Sequence, residues 1–348
     1  MSEFDFIERI RLHAAAREPA YSSLITHHSS LLTGIGDDAA VIRQVSGRNT
    51  VITTDLLVEE IDFRRDTTSA GLLGHKALAV SLSDIAAMGA RPRWALLSIG
   101  LPAEAWEAHF AEEFYEGFLA LAQRYDVQLI GGDVSRTPEK IVIDSIVLGE
   151  CTDGGAVQRS GAQAGDRLFV TGALGGSVAG LRLLNRGARI EARGESDPDA
   201  QSVAQLLRRH LSPEPRTGWG LVLGEERLAS AMIDISDGLS SDLHHLCQES
   251  HCGALIDSTL IPIEPLVTAL CGRRALDPLQ LALHGGEDFE LLFTVAPDQV
   301  PRLPKLVDGI PVSQIGEITN ELGRICITEK ERVWELEAQG FDHFPQKG

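Results

Sequence analysis

The chain has 348 residues, 43% of them hydrophobic and 23% charged, ordinary figures for a soluble globular protein of about two domains. Its longest apolar runs, such as the one at 127–130, are far too short to span a bilayer. A formal charge of −19 excludes nucleic acid and anionic membrane as natural partners, and it means that any phosphate-bearing ligand needs additional cations.

The N-terminus, MSEFDFIERIRLHAAAR, carries Glu3, Asp5 and Glu8 and has no unbroken apolar core. It does not read as a secretory signal; the spacing of Phe4, Ile7 and Ile10 predicts an amphipathic helix. From there short apolar runs alternate with helical patterns, which predicts a mixed α/β architecture. In chain order the patterns predict a strand over 50–54, a helix over 72–88, a strand over 94–100, a helix over 105–124, and strands over 127–131 and 141–149. These form a first domain, residues 1–150. A turn-rich passage, CTDGGAVQRSGAQAGD, opens the second, residues 151–348. There the patterns predict a strand over 167–171, helices over 177–185, 218–228 and 239–249, and strands over 291–295 and 324–328. The polar stretch 186–201 predicts a mobile surface loop.

The five cysteines, Cys151, Cys247, Cys252, Cys271 and Cys326, are odd in number and include no CxxC. They indicate neither a disulfide framework nor a zinc site, and read as reduced, small core residues of a cytoplasmic protein. The usual glycine-rich phosphate motifs are absent: there is no GxxxxGK[ST], and no GxGxxG between a strand and a helix. GALGGS at 172–177 follows a predicted strand and opens a helix. It is either a plain turn and helix cap or a loop whose amides hold an anion.

Acidic residues recur at the ends of apolar segments, often beside glycine. They are Asp37 and Asp38 in GIGDDAAV, Asp55 in VITTDLL, Asp84 in SLSDIAAMGA and Asp133 in QLIGGDVSR. Further on come Asp234, Asp237 and Asp242 in AMIDISDGLSSDL, and Glu287 and Asp288 in LHGGEDFELLF. Singly each has a structural reading, since Asp before Gly is a turn pair and Asp237 also suits an N-cap. Together they point elsewhere. Asp84 falls inside an apolar helical segment, and Asp55 and Asp133 end predicted strands. Carboxylates that face one another repel unless cations lie between them. Hard divalent cations take such oxygens, and magnesium commonly binds through a few carboxylates plus substrate phosphates. Thr53 and Thr54 add hydroxyls beside Asp55. The pattern therefore predicts a cleft holding several magnesium ions and a polyphosphate, the ions supplying the positive charge that the chain lacks.

The succession GIGDDAA, TTDLLVE, KALAVSLSDIAAMGARP, LIGGD, RSGAQAGD, VTGALGGS, DISDGLSSDL, GGEDFELLF and GFDHF resembles the thiamine-monophosphate kinases, within the aminoimidazole ribonucleotide synthetase superfamily. The likeness runs from Phe4 to Phe344. It implies an N-terminal α/β domain whose sheet pairs across a homodimer, and a C-terminal α/β domain closing over the nucleotide. It also implies a transferase of thiamine biosynthesis that uses ATP and magnesium to phosphorylate thiamine monophosphate. By the same resemblance Asp38, Thr53, Thr54, Asp55, Asp84, Asp133, Asp234 and Asp237 are the magnesium ligands. Gly132, Asp133, Arg159 and Ser236 contact the nucleotide, and Glu287 and Phe341 contact the thiamine part. In one place the chain departs from the pattern: where members commonly carry a histidine near the substrate it reads VEEIDF and offers Asp62. Relatives of the same fold fit less well. Selenophosphate synthetase needs a reactive residue near its N-terminus, whereas no cysteine precedes Cys151, and the hydrogenase-maturation relative ends in a cysteine, whereas this chain ends FDHFPQKG. A magnesium–nucleotide binding protein without turnover would share the fold but lack ligands, and none of the metal positions is lost.

Overall fold

The structure, a computed structural model, describes residues 31–33, 37, 40–43, 47–108, 110–190, 198–272, 277–330 and 332–340. The N-terminal helix expected around Phe4, and residues Asp38 and Phe341, lie outside the described residues.

Two sheets divide the chain. The first is six-stranded, in the order β1-β2-β3-β6-β4-β5. Its strands are β1 (Leu31–Thr33), β2 (Ala40–Arg43), β3 (Arg48–Val58), β4 (Arg91–Leu101), β5 (Gln128–Arg136) and β6 (Val142–Thr152). Alternating residues of β3, β4 and β6 point into a core beneath helix α1 (Ala70–Ala87) and helix α3 (Phe110–Arg124). The single helix expected over 105–124 is split, with a short helix α2 (Ala103–Glu107) ahead of α3.

The second sheet runs β14-β13-β9-β12-β7-β10-β8, with β11 (Leu306–Val307) attached to β12. Its members are β7 (Arg167–Thr171), β8 (Ala229–Asp234), β9 (Gly253–Asp257), β10 (Leu291–Val295), β12 (Ile310–Thr319), β13 (Ile325–Glu329) and β14 (Arg332–Glu335). The helices here are α4 (Gly176–Asn185), α5 (Pro198–Leu211), α6 (Thr217–Glu225), α7 (Leu239–Glu249), α8 (Pro265–Gly272) and α9 (Pro278–His284). Both sheets mix parallel and antiparallel pairs. Glu150, the expected last residue of the first domain, lies within β6. The loop expected over 186–201 is cut short, because α5 begins at Pro198.

Helix α1 joins the two halves. Leu73, Ala77, Leu78, Leu82 and Ile85 pack in the first core. Ala86 and Ala87 pack instead with Val157, Phe169, Trp219, Met232 and Phe293 of the second half. Ser69 caps its start, accepting from the Leu72 amide at 3.5 Å, and Gly89 at φ +66° follows its end. No described helix is long and apolar enough to cross a membrane.

Candidate active site

Helix α1 presents one face to the gap between the halves. Lys76, Val80, Ser83 and Asp84 share that face by helical spacing. Each polar member reaches a different element: Thr53 of β3 donates to the Asp84 carboxylate, Ser83 Oγ donates to Asp234 Oδ2 at the end of β8 (2.7 Å), and Lys76 Nζ lies 2.7 Å from Glu287 Oε1. An apolar helix thus carries Lys76, Ser83 and Asp84 on the side facing Glu287, Asp234 and Thr53, while His75 and Ser81 bond the Pro213 and Ser145 carbonyls.

After β8 the chain turns through Ser236, Asp237 and Gly238 into α7. Asp242, buried in the first turn of that helix, accepts from the amides of Asp237 (3.2 Å) and Gly238 (3.0 Å). Its carboxyl is pushed well above the ordinary range, first by burial and then by Asp237 and Asp234. The Gly238 amide and Arg159 oppose that shift. Three carboxylates and one guanidinium therefore share this corner. Arg159 is fixed through its backbone: its amide donates to both oxygens of Asp37 (3.2 Å each) and its carbonyl accepts from Ser250 Oγ (2.8 Å).

A cavity of about 640 Å³ opens beside this corner. Asp55, Asp62, Ser236, Asp237 and Glu287 line it, and so does Gly340, the residue before Phe341. The chain is led there by Ser240, which donates to the Gln339 carbonyl (2.7 Å) and lies 2.8 Å from His284 Nδ1. Asp62 is half-buried and accepts from the Val58 amide at 2.7 Å, closing the turn after β3. The amides of GALGGS are taken by the chain itself: Asp288 accepts from Gly175 (2.6 Å) and Ser177 (3.0 Å), so this loop is a helix cap.

The expected ligands do not all gather. Strand alternation turns Thr53 and Asp55 toward α1 and Thr54 to the opposite face, where it bonds Asp144. Gly132 and Asp133 are exposed on the edge strand β5, three strand spacings or about 14 Å from β3. Within one chain Asp84, Asp234 and Asp237 stand at the cleft with Asp55, and Asp133 stands apart. Among the described residues no three acidic, His or Cys side chains converge as a closed metal cage. Lys76, His210 and Ser83 are site residues that the sequence pattern did not single out. A lysine within an apolar helix was the one available signal.

This is the two-domain architecture of the AIR synthase related proteins. Residues 36–151 match that family's N-terminal domain and residues 163–326 its C-terminal domain. The chain belongs to the thiamine-monophosphate kinase family. It is 39% identical to the enzyme of that name from Escherichia coli (strain K12) over 89% of this chain and 91% of the relative. It is 35% identical to that from Bacillus subtilis (strain 168), over 99% and 100%. Among solved structures, AaThiL complexed with AMPPCP and TMP matches with a TM-score of 0.81 at 32% identity, covering 99% of this chain and 97% of that one. Thiamine-monophosphate kinase from Stenotrophomonas maltophilia K279a matches with a TM-score of 0.73 at 36% identity, covering 94% and 96%.

Proposed function

We propose that the chain transfers the terminal phosphate of ATP directly to thiamine monophosphate, giving thiamine diphosphate, as a cytoplasmic homodimer. The observation that carries this reading is the meeting, at one cavity, of the acidic corner of α7, the pair Asp62 and Glu287, and the chain at Gly340. The related AaThiL structure, holding AMPPCP and TMP together, supports the choice of substrates.

The donor set suits magnesium. It consists of carboxylate and hydroxyl oxygens, several drawn close enough for Asp234 and Asp237 to raise Asp242, and among the described residues it forms no closed cage. Magnesium keeps waters and shares its coordination with substrate phosphates, so an open set is what it takes. Asp55, Asp84, Asp234 and Asp237 would hold it on the cleft side, with Asp38 and the Thr53 hydroxyl as further ligands, whereas Thr54 faces away and Asp133 would reach it only from the second copy of a homodimer. When bound it neutralises charge on the phosphates. Arg159, with Gly132, Asp133 and Ser236, would hold the nucleotide. Glu287 and Asp62 offer negative charge to the cationic thiamine, and Phe341 a ring face.

The acceptor is a phosphate monoester whose second pKa is about 6, so its oxygen is ionised at neutral pH and needs no general base. What the residues must do is hold two anions in line. The first sheet supports the homodimer: Ile52, Leu148 and Trp94 form one cross-strand row and Ile146 and Leu96 the next, on the face turned away from the described helices α1 and α3.

A coupled assay should give ADP release that depends on thiamine monophosphate, with turnover reaching a plateau above about pH 7. Labelled ATP alone should leave no label on the protein. Asp84→Asn and Asp133→Asn should each lower turnover about a hundredfold or more without changing the melting temperature. Near-normal turnover in both variants would remove the metal assignment; a competent phosphoenzyme would remove direct transfer.

A further inference from the structure

Lys76 is 1% exposed, on a helix where Leu72, Leu73, Ala79 and Val80, one turn away on either side, are apolar. A buried ammonium is costly unless paired, and packing alone would favour a methionine or leucine there. Its Nζ meets Glu287 Oε1 at 2.7 Å across the junction between the halves: Lys76 belongs to α1, Glu287 to the segment between α9 and β10. The other oxygen, Oε2, lies 2.9 Å from His210 Nδ1 on α5, and that nitrogen lies 3.1 Å from Ser177 Oγ on α4. Burial and the Lys76 charge hold the imidazole below its ordinary value, so a neutral ring donates to the carboxylate.

The backbone is held too. Glu287 sits at φ +64° and Phe289 at φ +50°, conformations that non-glycine residues rarely take. They persist because the Glu287 amide donates to the Ser236 carbonyl (2.7 Å) and the Phe289 amide to the Ile235 carbonyl (2.9 Å). The result is a carboxylate with its back to Lys76 and its remaining lone pairs toward the cavity, which it lines while Lys76 does not. Burial by itself would favour the neutral acid, which attracts a cation far less.

We infer that Lys76 is the positioning residue for Glu287: the first domain supplies the ammonium that fixes the direction and charge of a carboxylate supplied by the second, and so sets the cavity's affinity for a cationic ring. This rests on the reading of the cavity as the thiamine monophosphate site. Lys76→Met in the full chain should raise KM for thiamine monophosphate at least tenfold while KM for ATP moves less than twofold. Lys76→Arg should recover part of the loss. Calorimetric titration of thiamine monophosphate should show Lys76→Met with Glu287→Gln binding no more weakly than Glu287→Gln alone, because the lysine acts through the glutamate. If Lys76→Met does not fold, the uncharged double variant carries the test by the same comparison. A Lys76→Met protein that binds thiamine monophosphate like wild type, equal rises in both KM values, or a double variant more than threefold weaker than Glu287→Gln would overturn the inference. Wild type that binds thiamine monophosphate without releasing ADP would count against the proposed reaction and leave the lysine's role standing.

Discussion

Burial alone would push the Glu287 carboxyl up, but Lys76 and His210 outweigh it and hold the group at about 2 against an ordinary 4.5. A depressed carboxylate contributes stability that is full above the unfolded value and is lost as pH falls through the folded one. The deficit of Glu287→Gln relative to wild type, measured as a urea midpoint, should therefore be the same at pH 7 and 5.5 and smaller at pH 3. A deficit that grows on acidification would contradict the pairing. Asp62 permits a second test, because its two roles separate. Asp62→Asn keeps an oxygen for the Val58 amide and loses the charge, so melting should be unchanged while KM for thiamine monophosphate rises about two- to fivefold. Equal effects on the KM for ATP would place Asp62 outside substrate recognition. Asp62 and Glu287 were both legible in the sequence through their motifs. Lys76 and His210 were not: a lysine in an apolar helix is a faint signal, and no linear pattern names the distant carboxylate that draws either residue inside.

Helices α1 and α3 cross where neither has a side chain. A Cβ at Gly74 would lie 1.9 Å from the Phe114 carbonyl oxygen, and one at Gly117 would lie 1.9 Å from that of Gly71. Gly74→Ala must push the helices apart and should cost about 1–3 kcal/mol, a fall in melting temperature of roughly 3–10 °C. An unchanged melting temperature would mean that the crossing is looser than drawn. Periodicity exposed α1 in the sequence because its apolar face is continuous. Helix α5 stayed hidden for the opposite reason: its inward face includes His210 and Arg209, the latter reaching Glu290 at 3.2 Å beside Arg216. Those residues read as surface until Glu287 and Glu290 are known to lie beneath them. Strand β12 was missed because an irregularity between Gln314 and Gly316 breaks its alternation. The edge strand β5 was found, but no pattern reveals that β4 and β6 separate its Asp133 from β3.

At the scale of the whole molecule, the face of the first sheet turned away from α1 and α3 is where a second copy would pair. Leu56, 60% exposed, stands on it. Leu56→Asp should turn a particle of twice 37.6 kDa into one of 37.6 kDa by light scattering. A monomeric wild type would remove the dimer altogether. Helix α1 carries a different consequence, for inheritance rather than assembly. The sequence divides near Thr152, but α1 lends Ala86 and Ala87 to the second core and sends Lys76 and Ser83 to Glu287 and Asp234. The two halves are thus not exchangeable cassettes. A chimaera that took everything after Thr152 from a distant relative would meet the wrong helix face, while one that exchanged α1 along with it would match the second half and move the mismatch to the first core. Lineages that diverge in the second half must therefore change α1 in step, although it lies some hundred and fifty residues upstream of several of its partners.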